Sequence, residues 1–195
     1  MIKKIGVIGA GQMGSGIAHV AALAGFDITL LDIDPERLDA AKTAISGNLE
    51  RQVRRTIVSE ADRDAALGRI KFNMDYAAFG DRDIVIEAAT ENEEVKREVF
   101  KTLVPHLSDD AIIATNTSSI SVTRLAARTD RPEKFIGLHF MNPVPMMKLV
   151  EIIRGLGTDV ETYQAVCVLA EQLGKTITVS EDFPAFIVNR ILLPM

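Results

Sequence analysis

Short apolar runs alternate along this chain with longer segments in which apolar positions recur every three or four residues. The short runs read as strands: residues 3–8, Asp27-Ile28-Thr29-Leu30-Leu31, Ile70-Lys71-Phe72, Ile84-Val85-Ile86-Glu87-Ala88-Ala89, Ala111-Ile112-Ile113-Ala114-Thr115, Phe135-Ile136-Gly137-Leu138, Leu149-Val150-Glu151-Ile152-Ile153 and 176–179. The run from Ile84 is apolar on both faces until its end, as a central parallel strand must be. The periodic segments read as helices. Gln12 to Leu23 aligns Ile17, Val20, Ala21 and Ala24, and Pro35 towards Val53 aligns Leu38, Ala41, Ile45 and Leu49. Glu60 to Leu67, Glu93 to Leu107 and Val160 to Leu173 complete the set. Punctuation agrees with the periods. Gly25 ends the first helix, Asp34 caps the second ahead of Pro35, and Ser59 and Asn92 cap the next two. Strand–helix alternation of this kind predicts an α/β fold with a doubly wound, mostly parallel sheet. The segment 35–68 reads as a helical hairpin inserted into that repeat, and insertions of this kind often carry ligand contacts.

The first strand runs into Gly9-Ala10-Gly11-Gln12-Met13-Gly14. Gly9 suits a tight turn, Gly11 lets a pyrophosphate approach the backbone, and Gly14 lets the helix pack on the strand. The free N–H groups of Gln12 and Met13 at the helix start face the phosphates, and the helix dipole favours their charge. Glycines that merely make a strand–helix turn are the plain alternative. The second strand ends at Asp32, whose carboxylate can accept from ribose hydroxyls and would repel a 2′-phosphate. The pair predicts a Rossmann-type domain with NAD as cofactor. In such sheets the ligand lies at the carboxyl ends of the strands, where Gly9, Asp32, Glu91, Asn116, Ser118 and His139 all fall.

Composition narrows the setting. The 195 residues fit one domain plus the start of another. Residues 1–182 read as the nucleotide domain. Residues 183–195 read as a linker and the first turns of a helical domain whose remainder is absent, because an apolar, unpartnered tail is a liability. A net charge of −5 argues against a nucleic-acid partner, with Arg51, Arg54 and Arg55 the one basic cluster. The single cysteine, Cys167, excludes an internal disulfide and reads as a small buried hydrophobe in a reducing compartment. With neither a leader pattern nor an apolar run long enough to span a bilayer, the expected location is cytoplasmic and no membrane is expected as partner. No residue cluster has metal-site spacing.

Chemistry must come from residues beyond the glycine loop. Of three histidines, His19 reads as packing or surface and His106 as a helix-end cation. His139 stands at a strand end. Glu151 is a carboxylate within an apolar strand, costly to bury without a partner. A hydrogen bond to His139 would satisfy it, orient the ring and make it a better base; the alternative is an edge-strand Glu151 facing solvent. The loop Asn142-Pro143-Val144-Pro145 lets the two strands lie side by side. Ser118 is a candidate donor to a substrate oxygen, or else a helix cap, a role that Ser119 or Ser121 can fill. No nucleophile-elbow pattern surrounds it.

These motifs, together with Glu87-Ala88 through Lys96, Asn116-Thr117-Ser118-Ser119, the run from Gly137 to Met146, and Phe186-Ile187-Val188-Asn189-Arg190, resemble the L-3-hydroxyacyl-CoA dehydrogenases, closest to their short bacterial 3-hydroxybutyryl-CoA branch. The resemblance implies NAD-dependent oxidation of a 3-hydroxyacyl-CoA to the 3-oxoacyl-CoA, in fatty-acid or butanoate metabolism. His139 resembles the general base and Glu151 its partner. Ser118 and Asn142 resemble the residues holding the reacting oxygen and the nicotinamide end, and Asn189 a further active-site asparagine. Glu91, Lys96 and Asn116 match cofactor or substrate contacts. The hairpin resembles a coenzyme A site, where Arg54 and Arg55 could meet phosphates, a solvated helix face being the alternative. Relatives continue into a helical domain that closes the cleft and forms a homodimer. The isolated chain is therefore expected to bind NAD and turn over poorly. Two other readings stay open: an NAD-binding, crystallin-like relative without physiological turnover, and a dehydrogenase of free hydroxy acids.

Overall fold

A computed structural model describes residues 1–192. The end of the apolar tail, residues 193–195, lies outside the described residues.

Eight strands form one sheet, in the order β3-β2-β1-β4-β5-β6-β7-β8. They are β1 (Lys4–Ile8), β2 (Asp27–Leu31), β3 (Ile70–Asn73), β4 (Ile84–Glu87), β5 (Ile112–Thr115), β6 (Phe135–Phe140), β7 (Leu149–Arg154) and β8 (Thr176–Glu181). The first six are mutually parallel; β7 runs antiparallel to β6, and β8 parallel to β7. The helices are α1 (Gln12–Leu23), α2 (Pro35–Arg54), α3 (Glu60–Arg69), α4 (Glu93–Leu103), α5 (Val122–Ala126), α6 (Val160–Gln172) and α7 (Val188–Leu192).

Strand residues alternate between two cores, which is why the strands carry apolar residues in succession. Ile84 and Ile86 of β4 join the core under α1, α2 and α6, while Val85 joins the opposite one with Phe100, Leu103 and Phe135. Chain order leaves β1 first for β2 on one side and returns to its other side with β4. That reversal opens a crevice at the carboxyl ends of β1 and β4, where an open α/β sheet binds ligands.

The expected caps are present: Asp34 accepts from Glu36 N, Ser59 from Asp62 N, Asn92 from Val95 N and Ser121 from Arg124 N. One expectation is corrected. The helix expected from Glu93 to Leu107 ends at Leu103 and passes into a tight turn over Val104–His106, because Pro105 lacks the N–H that a helix interior needs. Of the two alternatives for His19, packing is the one observed: it is 1 % exposed, with Nε2 3.2 Å from Gln52 Oε1. Among the described residues, no helix is long and apolar enough to cross a membrane.

Candidate active site

The glycine loop is shaped by collisions it avoids. Gly9 has φ +97°, and a Cβ there would lie 2.7 Å from Ala88 O. A Cβ on Gly14 would lie 1.8 Å from Gly9 O, so α1 can sit this close to the loop only without a side chain. Gly11 differs: a Cβ would meet no protein atom within 4 Å. Its bare backbone opens onto free space at the start of α1, where no side chain caps the helix and no acidic residue occupies the first turn. An open, uncapped helix N-terminus with exposed Gln12 and half-buried Met13 fits an anionic pyrophosphate.

Asp32 is 6 % exposed, and its carboxylate accepts from Ala10 N at 2.8 Å and Asp34 N at 3.1 Å. It ties the loop to the end of β2 while keeping further lone pairs for a ribose. Beside it lies a cavity of about 180 Å³, walled by Ile33, Arg37, Tyr76, Val95 and Val99. Burial pushes the Tyr76 phenol pKa up, and the charges of Asp32 and Glu87 push it the same way. Nothing in the sequence marked Tyr76, which sits in a short 3-10 turn that has no period to read.

The end of β4 is held from inside. Glu87 and Lys96 are both fully buried, with Nζ 2.6 Å from Oε2. The same oxygen accepts from Thr115 Oγ1 at 2.8 Å, and Oε1 accepts from Ala89 N at 2.8 Å. Lys96, expected at the cofactor or substrate, is thus placed beneath the cleft rather than on its surface, since a buried ammonium requires a charged partner. Glu91 instead sits at the rim. Its Oε1 accepts from Thr117 Oγ1 (2.8 Å), Ser118 N (2.9 Å), Ser119 N (3.0 Å) and Ser119 Oγ (3.0 Å). One carboxylate oxygen gathers the whole loop after β5.

The antiparallel register pairs His139 of β6 directly with Glu151 of β7. His139 Nδ1 lies 2.7 Å from Glu151 Oε2, and Nε2 lies 3.1 Å from Ser118 Oγ. Both residues are buried, Glu151 completely. An ionised carboxylate only accepts, so Nδ1 carries the proton and Nε2 is left as acceptor. The remaining oxygen of Glu151 accepts from Ile187 N and Val188 N, at 3.0 and 2.9 Å. Asn116 Oδ1 accepts from Phe140 N at 2.9 Å, which leaves its amide hydrogens for a ligand. Asn189 Nδ2 donates to Ser118 O at 3.0 Å, so this asparagine grips the backbone of the serine loop.

Hydroxyl, imidazole and carboxylate in line also match a nucleophilic triad. Acyl transfer needs N–H donors free for an oxyanion. The amides of Ser118 and of the next residue, Ser119, already donate to Glu91, whose charge would repel one. The arrangement suits proton abstraction.

Asn142 lies exposed at the mouth, on a cavity of about 540 Å³ between the glycine loop, α2 and the 142–145 turn. Asn48, Pro143 and Pro145 also line a neighbouring cavity of about 600 Å³, with Arg51, Arg55 and Met146. Arg54, expected there, lines neither cavity and pairs with Glu50 at 3.0 Å. Adjacent helical residues point about 100° apart, whereas Arg51 and Arg55, one turn apart, share a face.

The sequence model of the family described as "3-hydroxyacyl-CoA dehydrogenase, NAD binding domain" matches residues 4–183. The chain is 59 % identical over 195 residues to a 3-hydroxybutyryl-CoA dehydrogenase of Bradyrhizobium diazoefficiens, covering all of this chain and 67 % of the relative. It is 49 % identical over 192 residues to a probable 3-hydroxybutyryl-CoA dehydrogenase of Deinococcus radiodurans, covering 98 % of this chain and 69 % of that one. The crystal structure of an (S)-3-hydroxybutyryl-CoA dehydrogenase from Ralstonia eutropha superposes with a TM-score of 0.98 at 45 % identity, covering 100 % of this chain and 69 % of that one.

Proposed function

The chain belongs to the 3-hydroxyacyl-CoA dehydrogenase family, and on that premise we propose that it oxidises the 3-hydroxyl of an L-3-hydroxyacyl-CoA to the ketone, with 3-hydroxybutyryl-CoA favoured by the names of its relatives. The observation that carries the reading is His139, whose Nδ1 is tied to buried Glu151 while Nε2 lies within hydrogen-bond distance of Ser118 Oγ. Bound NAD supplies the hydride acceptor. Ser118 Oγ and Asn142 hold the reacting oxygen. As the C3–H bond gives up its electron pair, the O–H bond breaks and its proton passes to His139 Nε2, leaving a C3=O double bond. Glu151 stabilises the imidazolium that results and keeps the ring in the accepting tautomer. The uncapped start of α1 receives the pyrophosphate, Asp32 the adenosine ribose, and the amide of Asn116 the nicotinamide end. Arg51 and Arg55 face the phosphates of coenzyme A.

In a chain carrying a helical domain after the NAD-binding domain, His139→Ala should leave NAD affinity, measured by calorimetry, nearly unchanged and lower turnover of 3-hydroxybutyryl-CoA by about 10²–10⁴-fold. An unchanged rate removes His139 from the reaction. Comparable turnover of free 3-hydroxybutyrate would favour a hydroxy-acid dehydrogenase, and the intact His139–Glu151 pair weighs against a relative that only binds NAD. Homodimerisation through a helical domain following the NAD-binding domain belongs to the same reading, and light scattering on a chain carrying that domain tests it.

A further inference from the structure

After β8 the chain does not leave the sheet; it folds back over the proton-accepting pair. Asp182 anchors the start, accepting from Ser121 Oγ (2.7 Å), Val122 N (2.9 Å) and Thr123 N (2.8 Å). Phe186 anchors the middle. It is 2 % exposed, and its ring lies 6.2 Å from that of His139, tilted by 60°. Between these anchors, Ala185 and Phe186 adopt φ +66° and +49°. Two consecutive non-glycine residues in the left-handed region persist only where their surroundings impose it. The turn they make aims the N–H groups of Ile187 and Val188 at the same oxygen of Glu151. One residue later, Asn189 takes hold of the Ser118 carbonyl.

We propose that residues 182–189 form a positioning strap for the general base. Two backbone N–H groups fix which way the Glu151 carboxylate faces, and through it hold His139 in the tautomer that accepts a proton, while Asn189 sets the height of the Ser118 loop. Phe186, Ile187 and Val188 are positioning residues that act through Glu151. A segment serving only to end the sheet would not direct two consecutive amides at the buried carboxylate that orients His139. For its catalytic consequence the proposal rests on the dehydrogenase reading; the geometry of the strap does not.

The test is nuclear magnetic resonance of the ¹⁵N-labelled chain, with turnover measured alongside on a chain that also carries a helical domain after the NAD-binding domain. His139 Nδ1–H, tied to Glu151, gives a slowly exchanging proton signal, assigned by its loss in His139→Ala. Phe186→Ala frees the strap and Phe186→Leu retains an anchor. Ala185→Val makes no core cavity and places a β-branched residue where φ is positive, which such residues avoid. Phe186→Ala and Ala185→Val are expected to lose the Nδ1–H signal while the backbone amides of β6 and β7 stay in place, and Phe186→Leu to keep it. In the same order kcat falls roughly 10- to 100-fold and recovers, with NAD affinity and the acyl-CoA KM within about twofold. Folded variants that keep the Nδ1–H signal overturn the proposal; if Phe186→Ala fails to fold, Ala185→Val alone decides. A chain whose turnover survives His139→Ala defeats the dehydrogenase reading instead, and the Nδ1–H comparison still judges the strap.

Discussion

Glu151→Gln separates two things that most substitutions confound, the shape of the buried carboxylate and its capacity to accept. Three donors converge on Glu151: His139 Nδ1 on one oxygen, and the amides of Ile187 and Val188 on the other. Glutamine offers one acceptor oxygen and one donor NH₂ in nearly the same volume. With its oxygen towards His139, the NH₂ would confront two N–H groups and orphan both, at about 1–3 kcal/mol each. With its oxygen towards the strap, only the imidazole must adjust, by moving its proton from Nδ1 to Nε2. The second orientation is therefore preferred by roughly 2–6 kcal/mol. It costs the base, because a protonated Nε2 cannot take the hydroxyl proton. The expected fall in kcat is about three decades, or roughly 4 kcal/mol of activation free energy. Glu151→Ala fails in the opposite way. It orphans both strap amides and destabilises the fold by roughly 2–6 kcal/mol, yet leaves the imidazole free to sample the accepting tautomer, so that kcat falls by only about 10- to 100-fold. The order of rates should be wild type, Ala, Gln; the order of melting temperatures should be wild type, Gln, Ala. NADH absorbance at saturating substrates gives the first, and thermal unfolding followed by circular dichroism the second. A glutamine variant within tenfold of wild type, or faster than the alanine variant, refutes the reasoning.

Gly11 and Gly14 should respond differently to alanine. Gly14→Ala drives a Cβ into Gly9 O and should lower both thermal stability and NAD affinity, whereas Gly11→Ala meets no protein atom and should lower NAD affinity alone, as calorimetry and thermal unfolding would show. Arg51→Ala and Arg55→Ala should each raise the acyl-CoA KM several-fold, with Arg54→Ala near wild type; a larger effect at Arg54 in steady-state kinetics would reverse the assignment. Burial pulls the His19 pKa below 6.5; the Lys175 charge acts in the same direction, and the Gln52 hydrogen bond opposes it. The unfolded chain then binds a proton that the folded chain refuses, so stability is lost as pH falls below 6.5. His19→Gln should flatten that loss in urea titrations between pH 6.5 and about 5.

The strands were legible because burial on both faces leaves unbroken apolar runs, and the glycine loop because backbone geometry dictates residue type there. The placement of Lys96 follows from the helical period: it shares the i, i+4, i+7 face of α4 with Phe100 and Leu103, which turns it inward. Likewise, neighbouring arginines cannot both face one groove, which the helical angle alone excludes for Arg54 and Arg55. The five-residue α5 and the 3-10 turn carrying Tyr76 are too short for any period to declare itself. The run Phe186–Arg190 was legible as a motif, but the hold of the strap on Glu151 was not. Those bonds are made by backbone amides, which every residue but proline possesses, so no residue type at 187 or 188 announces them.

A common physical feature separates the two halves of the site. Asp32 reaches the glycine loop across 22 residues, but both lie at the ends of paired neighbouring strands, and the loop's own shape is set within a few residues by Gly9 and Gly14. The proton-accepting half has no such local support. Ser118 is held by Glu91 and by Asn189, 27 and 71 residues away; His139 by Glu151, 12 away; Glu151 by amides 36 and 37 away. Each of these groups is fixed only when the others are, and the last to arrive is the strap, which lies at the end of the described chain and packs over the rest. Loosening it is therefore expected to remove the proposed base while the crevice at the ends of β1 and β4 keeps its form. On the proposed mechanism, cofactor binding and proton abstraction should therefore be separable in this domain, with the boundary between Asn116, which is pinned to the backbone of β6, and Ser118, whose carbonyl is held by Asn189 of the strap.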